Sequence, residues 1–343
     1  MQSMKFRKKP ILLNLFILST LLVWGISGIF YYQVSNPAGE STDSITISIA
    51  PGATLKQISN NLESHNLIRS ASSFRLLANI RKKQTHIQVG EYELSQSMLP
   101  MDILKAITSG KTVLHPITIP EGYRITEIAE LFSKKILIDK EVFIKESRNK
   151  DLIQELDINS DSLEGYLFPE TYHFSKHSSE KKIIQTMLNT FKQKMKSQSI
   201  LDQVANSKMS MHEIITLASL IEKETGKNEE RKHISSVFHN RLRKNMRLQT
   251  DPTVIYAIEE FDGNIRKKDL NIDSPYNTYR YKGLPPGPIA SPGIESIIAA
   301  LNPIKSNHFY FVSRKDGSHH FSSNLREHNR AVQKYQLRKV TQH

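Results

Sequence analysis

The sequence predicts an α+β protein in three parts: an apolar helix long enough to span a membrane near the amino terminus, a small strand–helix–helix–strand (βααβ) unit, and a larger, mostly helical mixed α/β domain. Three observations carry this expectation. Residues 11–32 are almost wholly apolar. A pattern of alternation, glycine turn and helical spacing occurs twice, at residues 47–62 and 117–132. Beyond Ser210, helix-start signals recur while alternating stretches become rare.

The 343 residues, 38% hydrophobic and 24% charged, are enough for two compact domains, each with its own core. Lys5, Arg7, Lys8 and Lys9 precede the apolar span without an intervening acid. The span itself, roughly 22 residues at about 1.5 Å each, covers about 33 Å and can cross a hydrocarbon core. Basic residues on its amino-terminal side favour a cytoplasmic tail and an exported body. A cleaved signal peptide fits less well, because its apolar core is shorter and no small-x-small site precedes Val34, Ser35, Asn36 and Pro37. The absence of cysteine removes disulfides and thiolate metal sites. The formal charge is +13, and without the four tail residues 13 − 4 = +9 remains on the exported part. Such a body is attracted to anionic surfaces, or is simply well solvated; export makes nucleic acid an unsuitable partner. The expected organisation is a cytoplasmic tail (1–10), an anchor (11–32), a linker (33–44), the small unit (45–114), the larger domain (115–338) and a short tail (339–343).

In each copy of the repeat, apolar residues alternate into Gly52 or Gly122. Helical spacing follows at Leu55, Ile58 and Leu62, and at Ile125, Ile128 and Phe132. Second helices are expected near 72–80 and 140–146. An alternating strand at 88–94 and a helix at 101–107 complete the first unit. Strand, two helices, strand is the plan of the LysM carbohydrate-binding module, which residues 45–94 loosely resemble; a packing unit without ligand has the same plan. The aromatic stretch 163–174 should wedge between domains or line a groove, and 181–197 reads as a surface helix with a basic face. Ser210 with Glu213 forms a capping box opening a helix over 211–225, with Gly226 in a left-handed position after it. Asn228 is placed to cap the next helix, to about Arg243. Asp251 before Pro252 and Ser291 before Pro292 should open two more. Residues 274–293 form a loop too long for a mere connector. A strand at 308–313 and a helix over 325–337 close the chain.

The apolar arc of the 211–225 helix centres near Ile214, Ala218 and Ile221, with Glu222 and Glu224 on opposite shoulders. Wheel arithmetic does not choose between them. Glu224 continues the stripe of Leu217, Leu220 and Ile221 and lies nearer the carboxyl end, where dipole and burial both raise a carboxylate pKa, as a general acid requires. Both could equally be flank carboxylates paired with Lys223, Lys227 or Arg231. Gln249, Thr250, Asp251 and Thr253 supply polar groups beside Tyr256, while Tyr276, Asn277, Tyr279 and Tyr281 add rings and an amide. Flat rings rimmed by polar groups suit a sugar.

These motifs, Glu222 to Thr225, Arg247 to Val254, Pro275 to Tyr279, Gly283 to Gly287 and Asn324 to Asn329, together resemble the endolytic murein transglycosylases. The resemblance covers nearly the whole chain, including the anchor and Glu164 to Pro169. It implies a single-pass protein of the bacterial inner membrane, with an extracytoplasmic catalytic domain cutting nascent peptidoglycan strands and with peptidoglycan synthases as partners. It also implies Glu224 as the catalytic acid. Hydrolases usually need two carboxylates; a lytic transglycosylase can use one, as acid and then as base, while the 6-hydroxyl of N-acetylmuramic acid closes a 1,6-anhydro ring. Glu222, Gln249, Asp251, Thr253, Tyr256, Tyr276, Asn277 and Tyr279 are the candidates for holding the sugar. No cofactor or metal is expected. Ser178 to Lys181 matches Ser-x-x-Lys without the motifs that accompany it in acyl-transfer enzymes, and His308, His319, His320 and His328 lack zinc-protease spacing. The loop 283–287 lacks a phosphate cradle's Lys-Ser/Thr. A non-enzymatic wall-binding scaffold is the alternative. A pyridoxal-phosphate lyase is set aside, because the domain is exported and no lysine motif stands out.

Overall fold

The computed structural model describes residues 9–197 and 199–337; the expected tails, in their parts at 1–8 and 339–343, and residue 338 lie outside the described residues. The chain divides into two compact units. The first runs to His115 and includes Ser175–His177; the second comprises Pro116–Phe174 and the chain from Ser178 onward.

In the first unit, helix α1 (Lys9–Ser35) contains one candidate membrane span, Leu13–Ser35, with apolar side chains from Leu13 to Tyr32 exposed. The helix runs into the expected linker. Gln33 accepts from the Ser73 hydroxyl at 2.6 Å, and the Arg69 guanidinium lies 5.1 Å from the Tyr32 ring centroid. Beyond the helix, Arg69 donates to the Pro37 carbonyl and the Gly39 amide to that of Gln96. Residues 33–44 are therefore bound to the unit, not a loose tether.

Strand β1 (Ile45–Ile49), helices α2 (Leu55–Ser64) and α3 (Ala71–Ile80), strand β2 (Gly90–Leu94) and helix α4 (Pro100–Ser109) follow in the expected order. The strands pair antiparallel, Ile47 opposite Tyr92, over a core including Ile58, Leu62, Phe74, Leu94, Ile103 and Ile107. Strict alternation fails in β2, because Glu91 is also buried. It receives Lys176 Nζ at 2.6 Å and lies 2.6 Å from His115 Nε2. Burial alone would raise the Glu91 pKa, but the hydrogen bonds from Lys176 and His115 outweigh it and hold the carboxyl below its ordinary value.

Strand β3 (His115–Thr118), in the second unit apart from its first residue, pairs with the short β4 (Thr171–Phe174). Between them lie α5 (Ile125–Ile136), α6 (Lys140–Glu146) and α7 (Lys150–Gln154). The helices α8 (Glu180–Ser197), α9 (Ile200–Ala205), α10 (Met211–Glu224), α11 (Asn228–Arg243), α12 (Asp251–Ala257) and α13 (Ile294–Leu301) follow. The hairpin β5 (Tyr310–Ser313) and β6 (His319–Ser322) leads into α14 (Leu325–Val332) and a π-helical turn, Gln333–Leu337. The aromatic stretch at 163–174 fills this unit's core instead of lining a groove: Tyr166, Phe168, Tyr172 and Phe174 are all buried.

The repeat is realised in the backbone. Gly52 and Gly122 both have φ of 76°, and the third helical residue of each copy accepts from the cap amide: Thr54 to Gln57 at 2.9 Å, Arg124 to Glu127 at 2.8 Å. Several caps differ from expectation. Gly226 is not left-handed, because Thr225 is extended (φ −146°) and already ends α10. Lys227, Thr250 and Gly293 occupy the N-cap positions expected of Asn228, Asp251 and Ser291; the Asn228 and Asp251 side chains accept instead from Arg231 and Tyr279, and the buried Ser291 hydroxyl has no partner among the described residues.

A Cβ at Gly52 would meet nothing within 4 Å, so Gly52→Ala tests backbone conformation alone. It is expected to destabilise the first unit by about 1 kcal/mol, read as a lower denaturation midpoint for that unit; an unchanged midpoint would refute the positive-φ account.

Candidate active site

Helix α10 is buried from Ile214 to Ile221, so its last turn emerges directly from the core. Its two glutamates then meet different surroundings. Glu222 is compensated: Arg231 Nη2 lies 3.2 Å from Oε1, with both side chains about 6% exposed, and the Gly293 amide donates to Oε2 at 2.9 Å. Glu224 has no cation in a salt bridge among the described residues. The Thr250 hydroxyl donates a short hydrogen bond to its Oε1. Burial is the main cause that pushes the Glu224 carboxyl up to about 7, and Asp251 adds to it against the opposing effects of Thr250 and Arg241. Arg231 thus distinguishes the two carboxylates that helical spacing left equivalent, pairing with Glu222 and not with Glu224.

Glu224 lines a cleft of about 400 Å³ with Arg241, Leu248, Gln249, Asp251, Tyr279 and a wall from β5 and α14. Gln249 is held at φ 49°, its amide donating to the Thr278 carbonyl at 3.2 Å, which places an exposed amide side chain at the cleft. Asp251 does not cap α12; its Oδ1 accepts from the Tyr279 hydroxyl at 2.5 Å.

The other expected sugar-binding residues divide into two groups. Thr253 and Asn277 are wholly buried supports. The Thr253 hydroxyl donates to the Thr250 carbonyl at 2.7 Å. Asn277 donates to the carbonyls of Leu270 and Ile272 and accepts from the Tyr279 amide. Together they fix Thr250 and Tyr279. Tyr256 and Tyr276 do not line the Glu224 cleft. Their rings pack at 4.7 Å, with Arg124 at 5.0 Å over Tyr256. Beside them Glu164 accepts the Ile125 amide at 3.1 Å, and burial raises its carboxyl to about 7. Glu164 thus satisfies an otherwise orphaned amide in the first turn of α5.

Arg241 is a cleft residue that sequence spacing does not single out. It donates to the carbonyls of Phe309 and Leu248, each at 2.6 Å, and joins α11 to the cleft wall. Sequence spacing offers no sign of this, since its partners are backbone carbonyls. Among the described residues there is no cluster of three or more histidines or acids that could hold a metal.

A family model described as YceG-like matches residues 47–334. Over 332 residues the chain is 38% identical to a Bacillus subtilis protein named endolytic murein transglycosylase, covering 90% of this chain and 91% of that one. A Streptococcus pneumoniae protein of the same name is 32% identical over 320 residues, covering 84% of this chain and 58% of the relative. A crystal structure of a yceG-like protein from Listeria monocytogenes matches with a TM-score of 0.59 at 37% identity, over 84% of this chain and 99% of that one.

Two stability effects follow from the unequal glutamates. Arg231→Met strands a buried Glu222 and should cost about 3–5 kcal/mol, measured by denaturant unfolding; adding Glu222→Leu should recover part of it. For Glu224 the sign is reversed from an ordinary paired carboxylate, since its folded pKa of about 7 exceeds the reference 4.5. Its contribution is complete below the lower value and is lost as pH rises through the higher one. Glu224→Gln should therefore gain thermal stability relative to the parent on going from about pH 5 to about pH 8; a constant difference would show that the carboxyl is not held neutral by folding.

Proposed function

The chain belongs to the YceG-like family, and on that premise we propose that it is a peptidoglycan lytic transglycosylase in which Glu224 serves as acid and then as base. The observation that carries this reading is a partly exposed carboxyl, raised to about 7 by burial, on the wall of a cleft. Of the other carboxylates, Asp251 accepts the Tyr279 hydroxyl, Glu222 is paired with Arg231, and Glu164 is bound to the Ile125 amide. One available carboxyl suits a lyase better than a two-carboxylate hydrolase.

The protonated Glu224 donates to the glycosidic oxygen between N-acetylmuramic acid and N-acetylglucosamine, and the bond from that oxygen to C1 of the muramyl residue breaks. The ionised carboxylate then takes the proton of the muramyl 6-hydroxyl while its oxygen bonds to C1. A 1,6-anhydro ring forms and the acid is regenerated without water. Thr250 orients the carboxyl; Gln249, Asp251 and Tyr279 contact the sugar. In the cell, α1 anchors the protein in the membrane with its amino terminus cytoplasmic. The first unit adds affinity for glycan, and cutting within nascent strands brings the enzyme to peptidoglycan synthases.

The full chain incubated with purified peptidoglycan should release anhydro-muropeptides detectable by mass spectrometry, and Glu224→Gln should fold yet reduce them at least about a thousandfold. Because the acid form reacts first, kcat/KM should fall about tenfold per pH unit above about 7. Binding without shortening of strands would favour a wall-binding scaffold; retained activity in Glu224→Gln would move the acid elsewhere.

A further inference from the structure

Part of the cleft wall takes no part in the proton transfers: Tyr310 and Phe311 of β5, and Leu325, His328 and Asn329 of α14. His328 is fixed there by a stack. Its ring lies 5.1 Å from Tyr310 with 25° between planes, and the Arg241 guanidinium lies 5.2 Å from the same tyrosine ring. Arg241 is itself tied to backbone carbonyls, so the imidazole is held by a chain of contacts ending in main chain.

His328 Nδ1 is buried and has no hydrogen-bond partner among the described residues. Only Nε2 is left to serve the cleft. A buried bare nitrogen is less costly than a buried unpaired N–H, and much less costly than one on a charged imidazolium near Arg241. The groups around the ring, Arg241 from α11 and Tyr310 from β5, supply no anion that would favour the charged form. Burial, reinforced by Arg241, lowers the His328 pKa accordingly. Both considerations favour the neutral imidazole with its proton on Nε2. It is a fixed donor and not a second base.

We propose that His328 and Asn329 form a subsite for the 2-acetamido group of the sugar bound beside Glu224, with His328 Nε2–H donating to the acetamide carbonyl. An acetamide needs a donor for its oxygen, an acceptor for its N–H and apolar surface for its methyl. His328 supplies the first, and the Asn329 side-chain carbonyl the second. Leu325, 55% exposed, supplies the third together with Phe311. A hydroxyl would leave the apolar surface unused, and a protonated amine would set a donor against the His328 N–H. The subsite deepens the lytic transglycosylase reading, on which its choice of sugar rests.

The test uses the full chain in detergent with glycan strands, native or de-N-acetylated. His328→Phe keeps a ring on Tyr310 but lacks the donor, and should lower kcat/KM on native strands about tenfold to a hundredfold. His328→Gln, which carries an amide N–H near the Nε2 position, should recover to within about threefold. De-N-acetylated strands should slow the parent by a similar factor and His328→Phe no further. Equal losses for His328→Phe on both substrates, or no loss, would overturn the subsite. Calorimetric binding in the Glu224→Gln background provides a readout independent of turnover. There, preference for acetylated over de-N-acetylated oligosaccharide should be lost on adding His328→Phe, and a preserved preference overturns the proposal. Absence of anhydro products with the parent would instead count against the lytic reading alone.

Discussion

The cleft depends on one constraint: α10 is enclosed by protein along its central turns, so the two glutamates at its end leave the core with little solvent to stabilise their charge. Each must be compensated or remain neutral. Glu222 has a guanidinium and a backbone amide. Glu224 has a hydroxyl, and a neighbouring aspartate that disfavours its ionisation. Two residues apart, the same chemical group is thus paired with a guanidinium in one place and pushed up to about 7 by burial in the other. The difference comes from the partners, not from helix position.

Around this helix the second unit holds the cleft by means of short polar links. Thr253 and Thr278 support Thr250, Asn277 organises the loop that carries Tyr279, and His212 lies 2.7 Å from the Pro286 carbonyl and 2.9 Å from the Tyr166 hydroxyl. Thr253, Thr278 and Asn277 do not line the cleft, yet through Thr250, Gln249 and Tyr279 they decide where its groups point. Their substitution would change geometry before it changed chemistry.

Much of this was legible in the sequence because some signals are local. The paired glycine turns, the Ser210–Glu213 capping box and the 140–146 helix depend on residues within a few positions of one another, and all are present. Signals with a distant competitor were read less well. Asp251 has the sequence of a cap but is engaged by Tyr279, and Glu91 of the alternating strand is buried against Lys176 and His115, partners that lie far along the chain or outside the strand. The β6 strand and the Arg241 anchor depend on partners with no sequence periodicity to announce them. Composition points Tyr256 and Tyr276 to the sugar, whereas their rings pack together near Glu164.

The salt bridge between Glu91 and Lys176 also bears on biosynthesis. The first unit receives residues 175–177 only after an intervening stretch of the other unit has been made. During translation, Glu91 must await its lysine while the ribosome adds the segment between them. A nascent amino-terminal half, or a chain truncated after His115, would retain the histidine contact but carry a poorly neutralised anion inside its sheet. Maturation of this half is therefore expected to finish late, despite its early place in the reading frame.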